Sequence, residues 1–426
     1  MKIVLIGAGS YVFGPTVLRD AIERNRLDGW ELCLVDTNAE AADLMAVIGR
    51  RMAAELAVDI RVSSSVDRRA ALPGADFVIL SAAPQGARRW QMDYEILCRA
   101  GMPDQARECG GLGGLANALR SIGLALDVCR DMERLCPKAL LLDVTNPMPR
   151  VVTAVNRFTR IRCYGFCNVA QGAEHGYGNV AAWLGRAAED IGVVSAGLNH
   201  FAWLVSVRER GTGKDLYGEV VRAIQAGTGR DFRVLQRWLA RFGGIALSGI
   251  DHPAEYLPCD PDIHYHTTPP YHGDAAEREH RRQELLRVAS GEADWHTACA
   301  HGSWEHPIDV AAALGTGDPL DVPILNLPNQ GCVDEIPAGR IVEAPARVEN
   351  GAVRGVSVGR LPGQVAAICR QVSDVHEWVA EGAATRSRAA LLAAIEADPA
   401  ITQKAAAVPA LDALLAAHAD LVPGFK

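Results

Sequence analysis

The chain opens on an apolar run, Lys2–Ile6, broken at once by Gly7-Ala8-Gly9-Ser10. A short run of apolar residues bounded by turn residues predicts a strand buried on both faces, as in a parallel sheet. Residues 12–24 follow with helical spacing, and Glu31–Val35 is a second apolar run that ends at Asp36. The alternation continues. Residues 39–57 predict a helix, 60–63 and 75–81 strands, 121–136 an amphipathic helix that stops before Pro137, and 139–144 another strand. Strands and helices that alternate at this spacing build βαβ units around a parallel sheet.

Beyond about residue 190 the texture changes. Residues 195–199 and 203–209 predict strands, 231–242 and 275–289 helices, and the chain from Gln364 onward is rich in Ala and Leu at helical spacing. Between them lies 251–274, crowded with Pro, His, Tyr and Asp. A polar, ring-rich loop of this length is more often functional than a plain connector. No internal repeat or low-complexity linker interrupts the chain. At 426 residues it exceeds what one core usually organises, so two domains are expected. The expected fold is α/β, with a Rossmann-type doubly wound parallel sheet over residues 1–190 and a second, α+β domain over 191–426.

Composition narrows the function classes. With 49% hydrophobic and 22% charged residues the chain is of ordinary globular make-up. A net charge of −8 with no run of one sign argues against a nucleic-acid or anionic-membrane partner. No stretch reaches the ~18 to 20 apolar residues of a membrane span. Gly7, Gly9 and Gly14 cut the first apolar run short of the ~7 to 15 residues of a signal peptide, so a cytoplasmic location is expected. Eleven cysteines without one CxxC pair point away from a zinc ribbon or a thioredoxin-like site. Most read as small buried hydrophobes in a reducing compartment.

Chemistry enters first at the amino terminus. Gly7 and Gly9 open the turn between a strand and a helix, where glycines let the backbone approach a pyrophosphate resting on the helix's positive end; Ser10 belongs to the same turn. The usual third glycine would fall at position 12, where this chain has Val12. Asp36, at the end of the second strand, strengthens the pattern, because a carboxylate there accepts hydrogen bonds from the adenosine ribose. Its charge would repel a 2′-phosphate, which favours NAD over NADP. A Gly-rich turn without a cofactor is the alternative. Cys167 and His200 each follow a strand, where ligand sites gather in open α/β sheets. By themselves, 33 residues apart, they read as two unrelated buried side chains rather than as metal ligands. Arg88-Arg89 and Trp90 follow a strand end and could clamp an anionic group bidentately, or could begin a solvated helix. His252, His264, His266 and His272 read as incidental residues of a solvated loop, because no two stand at i, i+4 on a clear helix.

A set of segments, in order, carries a resemblance. They are Ile6-Gly7-Ala8-Gly9-Ser10, Gly110-Gly111-Leu112-Gly113-Gly114-Leu115, Thr145-Asn146-Pro147-Met148, Gly165-Phe166-Cys167, Gly197-Leu198-Asn199-His200, Ala254-Glu255-Tyr256-Leu257-Pro258 and Pro328-Asn329-Gln330-Gly331. Together they make the chain similar to glycoside hydrolase family 4, NAD- and Mn²⁺-dependent glycosidases related to lactate and malate dehydrogenases. Leu421-Val422-Pro423-Gly424 resembles the α-galactosidase branch. The resemblance implies that Cys167 as thiolate and His200 as neutral imidazole hold Mn²⁺, and that Asn146 bridges sugar and nicotinamide. Tyr256 matches the family's general base, with Asp251 nearby in the same loop. It implies oxidation of the sugar C3 hydroxyl by NAD, removal of the C2 proton, elimination at C1, water addition and return of the hydride, an exception to the two-carboxylate scheme. A glycoside substrate and a homodimer or homotetramer go with it.

The chain also departs from the family. Asn168 stands where members carry Asp or His beside the ligand Cys, and an amide cannot act as the leaving-group acid; His175 or water could supply that proton. Glu108 lies where a Gly-Asp pair is typical, and Asn117 replaces an arginine often found three residues before the position of Arg120. With Arg88 and Asn146, Asn168 and Glu108 are expected to border the sugar. Two other readings stay open: a dehydrogenase of a sugar, sugar acid or 2-hydroxy acid with net NADH production, and a nucleotide-sensing binding protein that has lost catalysis.

Overall fold

The computed structural model describes residues 1–167, 169–172, 176–263, 265 and 275–425. Asn168, His175, His264, His266 and His272 lie outside the described residues. Strands β1 (Lys2–Ile6), β2 (Glu31–Val35), β3 (Arg61–Ser65), β4 (Phe77–Leu80), β5 (Leu140–Asp143) and β6 (Cys163–Gly165) pair in parallel in the order β3-β2-β1-β4-β5-β6. This is the doubly wound order of dinucleotide-binding sheets, with its ligand crevice at the carboxyl ends of the strands. Strands β7 (Ile191–Leu198), β8 (Phe201–Glu209), β9 (Leu320–Pro328), β10 (Ile341–Glu349) and β11 (Ala352–Gly355) are antiparallel and extend the same sheet through β6-β9-β10-β7-β8.

The apolar run that opens the chain is explained by burial on both faces. Successive side chains of a strand point to opposite sides. Ile3 and Leu5 join a core with Leu18, Ile22 and Met45, while Val4 and Ile6 join another with Leu115, Leu119 and Val152. The carboxy-terminal helices Val365–Thr385, Arg388–Ala397 and Lys404–Ala417 return to cover this second core, to which they contribute Val375, Val379, Leu391 and Leu411. The two halves of the sequence therefore share a sheet and both cores.

Among the departures from the expected boundaries, two have a packing reason. The long helix begins at Gly111, ten residues before the expected start, and runs Gly111–Leu135. Its early glycines are there for close approach. A Cβ on Gly113 would stand 2.6 Å from the Arg107 carbonyl oxygen, and one on Gly114 2.3 Å from the Cys109 carbonyl carbon. By length and composition this helix could cross a membrane, contrary to the expectation that no segment could. Here it is a buried core helix.

The second difference lies at residues 12–24. The α-helix covers Phe13–Arg19 and then widens into a π-turn, Asp20–Arg24. Asp20 is fully buried there and accepts a hydrogen bond from the Ser303 backbone N–H at 2.8 Å. Burial pushes its carboxyl up to about 7, against the Ser303 N–H and with Asp309 and Glu305 adding to the rise. In the unfolded chain this group ionises near pH 3.9. Between these values the folded state binds more protons, so Asp20 lowers stability as pH rises from about 4 to 7. Asp20→Asn is accordingly expected to stabilise the fold by about 1–3 kcal/mol at pH 8 and by less at pH 4.5. Urea denaturation at the two pH values measures this, and an equal shift at both would contradict it.

Candidate active site

A cleft forms where β1, β2 and β4 end. Gly7 takes a left-handed conformation (φ +93°), and a Cβ on it would lie 1.9 Å from the Ser81 carbonyl oxygen. Only glycine fits there. The Gly9 N–H donates to Asp36 Oδ2 at 2.8 Å, and the Asn38 N–H donates to Oδ1 at 2.9 Å. Asp36 is thus fixed across the cleft from the turn, and Ser10 Oγ accepts from the Phe13 N–H at 3.1 Å. The place of the missing third glycine is taken by Gly14, whose Cβ would meet the Ala8 carbonyl oxygen at 2.6 Å, while Val12 is exposed. Gly7, Gly9, Ser10 and Asp36, with Arg68, Arg69 and the stretch Ser81 to Gln85, line a cavity of about 700 Å³.

The second half of the site is set by register. Gly165, Asn326, Glu343 and Gly197 form one row across β6, β9, β10 and β7. The parallel strand β6 and the antiparallel β7 therefore both end at the same level of the sheet. Cys167 lies two residues past the row on one side and His200 three past it on the other. His200 occupies a two-residue hairpin turn between β7 and β8 and adopts φ +59°. A left-handed non-glycine residue is uncommon, and such strain concentrates at functional sites. Cys167 Sγ stands 3.4 Å from His200 Nε2, both side chains buried.

That spacing suits two ligands of one divalent cation, since atoms about 2.0–2.3 Å from a shared ion at roughly 90–110° lie about 3.0–3.6 Å apart. Burial pushes the Cys167 thiol up to about 12, with the Glu343 carboxylate adding and the Val169 N–H and Asn199 amide opposing. A cation would offset that cost, because a coordinating thiol is deprotonated outright. Among the described residues no group of three His, Cys, Asp or Glu could hold a metal. A cation at this pair would keep open positions, the arrangement of catalytic rather than structural sites. Behind the pair, Glu343 is fully buried and accepts from Asn199 Nδ2 at 2.9 Å and Asn326 Nδ2 at 3.2 Å. Burial raises its carboxyl to about 7, against these two amides.

The 251–256 segment reaches the same place. Asp251 opens a short helix, Asp251–Ala254, and accepts from His252 Nδ1 at 3.1 Å. The His252 ring meets the His200 ring edge-on at 4.6 Å, so His252 packs against the pair instead of standing in a solvated loop. Asp251 also lines a cavity of about 330 Å³ with Asn179, Trp183, Asp231 and Phe232. Tyr256 is buried, its ring 5.6 Å from Phe201 and 5.7 Å from His376. Its hydroxyl is buried and has no hydrogen-bond partner among the described residues. Burial holds the phenol well above its ordinary range, with Cys109, Glu255 and Glu108 adding and Arg150 opposing.

Two charged residues that the sequence reading passed over hold this segment against the first half. Glu255 Oε2 accepts from the N–H groups of Cys109 (2.6 Å) and Gly110 (3.1 Å), capping the helix Gly111–Leu135 at its positive end. Arg107 Nη1 donates to the carbonyl oxygens of Ala254, Glu255 and Leu257 at 2.8–3.0 Å. Their signal was faint: a charged residue beside Tyr256 and another before a Gly-rich helix start. Asn146 follows β5, its side-chain amide donating to Glu108 Oε1 at 3.1 Å and its backbone carbonyl accepting from Ser121 Oγ at 2.9 Å. Arg88 stands exposed on the helix Gly86–Arg99, which begins at the rim of the Gly7–Asp36 cleft. Arg89 is buried and paired with Asp420, so the two arginines do not form a joint clamp.

With this geometry in hand, comparison with known proteins places the chain. The sequence of the family 4 glycosyl hydrolases matches residues 2–181, and that of the family 4 glycosyl hydrolase C-terminal domain matches 195–401. An alpha-galactosidase of Bacillus subtilis (strain 168) is 27% identical over 442 residues, covering 100% of both chains. A 6-phospho-alpha-glucosidase from gut microorganisms, solved in complex with NAD and Mn²⁺, superposes with a TM-score of 0.78 at 20% identity over 100% of this chain and 99% of that one. Malate dehydrogenase from Plasmodium falciparum shares the fold more distantly, with a TM-score of 0.52 at 12% identity over 90% of this chain and 99% of its own.

Proposed function

Because the chain belongs to family 4 of the glycosyl hydrolases, we propose that it cleaves a glycosidic bond by transient oxidation of the sugar, with NAD in the Gly7–Asp36 cleft and Mn²⁺ at Cys167 and His200. When bound, NAD would accept and return the C3 hydride and the cation would polarise the C3 oxygen, which acidifies the neighbouring C2 proton. The remaining work falls to the chain. Asp36, held by the Gly9 and Asn38 N–H groups, binds the ribose hydroxyls and disfavours a 2′-phosphate. Asn146, fixed by Ser121 and Glu108, orients the sugar beside the nicotinamide end of the cleft. Tyr256 takes the C2 proton, and the closed surroundings of its ring keep water from competing for it. Glu108, Asn168 and Arg88 are assigned to the sugar and its substituents, and Asp251 supports the base loop through His252.

The observation that carries this reading is the 3.4 Å approach of Cys167 to His200 from two different strands. The test is a panel of aryl α- and β-glycosides offered with Mn²⁺, reductant and either NAD⁺ or NADP⁺. Aglycone release that requires Mn²⁺ and NAD⁺, with no net NADH, is the expected result. NADH accumulating in step with substrate consumption, without aglycone release, would replace this reading with a plain dehydrogenase.

A further inference from the structure

The cavity of about 330 Å³ bordered by Asp251 takes no part in the chemistry assigned so far. It is tied to His200 in two ways. Asp251 is hydrogen-bonded to His252 at 3.1 Å, and the His252 ring meets the His200 ring at 4.6 Å. Another wall, at Ala246 and Leu247, runs along β8. The Leu247 N–H donates to the Ala202 carbonyl oxygen at 2.9 Å, two residues past His200. The cavity thus lies within two side chains of the Cys167–His200 pair.

Its remaining walls are two helices. Tyr177–Leu184 contributes Asn179 and Trp183, four residues apart and so on one face. The first turn of Arg230–Phe242 contributes Arg230, Asp231 and Phe232. The Trp183 and Phe232 rings stand 6.2 Å apart, tilted by 52°. Phe232 is held from behind by Gly227, where a Cβ would lie 2.2 Å from its ring. Ser248 and Gly249, at φ +77° and +74°, turn the chain from the β8 wall to Asp251. Ser248 is fully buried in that left-handed conformation, and backbone strain of this kind clusters at ligand clamps.

Small-molecule sites are mostly apolar with a few placed polar groups. Here two aromatic faces suit the C–H face of a sugar ring, and the Asn179 amide with the Asp231 carboxylate suits its hydroxyls. Charge narrows the class. Among the described residues lining the cavity Arg230 is the only cation, and its Nε donates to Asp231 Oδ1 at 3.1 Å. No positive charge is left to hold a phosphate or carboxylate, and Asp251 would repel one. The volume, near the lower end of the roughly 300–1,000 Å³ of such sites, has room for one ring.

We propose that this cavity seats the leaving group, the second and uncharged sugar ring of a disaccharide, packed on Trp183 and Phe232 and hydrogen-bonded by Asn179 and Asp231. The ring to be oxidised then lies at Cys167 and His200. The assignment rests on the proposed cleavage of a glycosidic bond at that pair.

The test compares leaving groups of different size on one glycon. Full-length protein is loaded with Mn²⁺ and NADH, which cannot accept a hydride, so that glycosides bind without turnover. Maltose, cellobiose, melibiose and lactose are titrated calorimetrically beside the methyl and phenyl glycosides of the same glucosyl or galactosyl group and anomer. One disaccharide is expected to bind roughly tenfold or more tightly than its methyl glycoside, with the phenyl glycoside between them. Trp183→Ala and Phe232→Ala should each remove most of that advantage, and Asn179→Ala part of it, with methyl glycoside affinity unchanged. A merely structural role would weaken the methyl glycoside as well, and that outcome overturns the proposal. So does a native protein in which no disaccharide outbinds its methyl glycoside, a comparison that needs no variant to fold. A phenyl glycoside bound as tightly as the disaccharide overturns the assignment to a sugar. Failure of the underlying reading looks different: with NAD⁺ in place of NADH the bound disaccharide would stay intact while its advantage in affinity persisted.

Discussion

Tyr256→Phe is expected to lower turnover by roughly 10² or more while leaving the protein as stable as, or more stable than, the native chain. The two halves of this expectation have one cause. The Tyr256 hydroxyl is buried and makes no hydrogen bond among the described residues, so at rest it is a liability. A buried unsatisfied polar group costs about 1–3 kcal/mol, and the phenylalanine variant sheds that cost while keeping the ring contacts with Phe201 and His376. A tyrosine serving only to pack would show the stability gain without the loss of rate. Exchange of the C2 proton with solvent deuterium separates the steps. It should occur in the native enzyme and vanish in the variant, with NAD affinity unchanged. Turnover in deuterium oxide without label at C2 would sink elimination as the mechanism.

Loss of either member of the Cys167–His200 pair should abolish turnover and manganese binding together. Cys167→Ser exchanges a soft sulfur for a hydroxyl that does not ionise near neutrality. His200→Asn removes the imidazole with a residue that tolerates the left-handed backbone of the hairpin turn. Removing a group that only orients a ligand already costs about 10–100-fold in metal affinity, and removal of one of two protein ligands should exceed that. Calorimetric titration with Mn²⁺ is the measurement. NAD affinity, read on the same samples, should change little, because the Gly7–Asp36 cleft draws none of its lining from these two residues. Near-normal activity of both variants in chelator-treated buffer would move the metal elsewhere.

Much of the first half was legible before any coordinates. β1 and β2 fall where the apolar runs Lys2–Ile6 and Glu31–Val35 place them, because a strand buried on both faces must be apolar throughout. The Gly7 and Asp36 signals are local for the same reason: a turn with no room for a Cβ and a carboxylate at a strand end act within one βαβ unit. Local rules misled at the long helix. Four glycines between residues 110 and 114 argue against helix by propensity, yet close packing on residues 105–109 and the cap from Glu255 start it there. The third glycine was sought at position 12 and its role is filled by Gly14, because the turn takes a longer path before the helix enters. The dismissal of His252 failed on a contact with His200 that no spacing rule reports.

The sequence by itself therefore determined the doubly wound half, the tight turn at Gly7 and Gly9 that faces Asp36, and the family to which the chain belongs, since each depends on residues adjacent in the chain. Only the tertiary structure decided that β7 to β11 continue the parallel sheet and end β7 level with β6, which brings Cys167 and His200 to 3.4 Å. It also decided that Arg107 and Glu255 bind the Tyr256 segment to a helix more than a hundred residues earlier. The physical reason is common to both. Burial and pairing of a charge depend on which elements pack together, and residues so distant in the chain leave no periodic mark on one another.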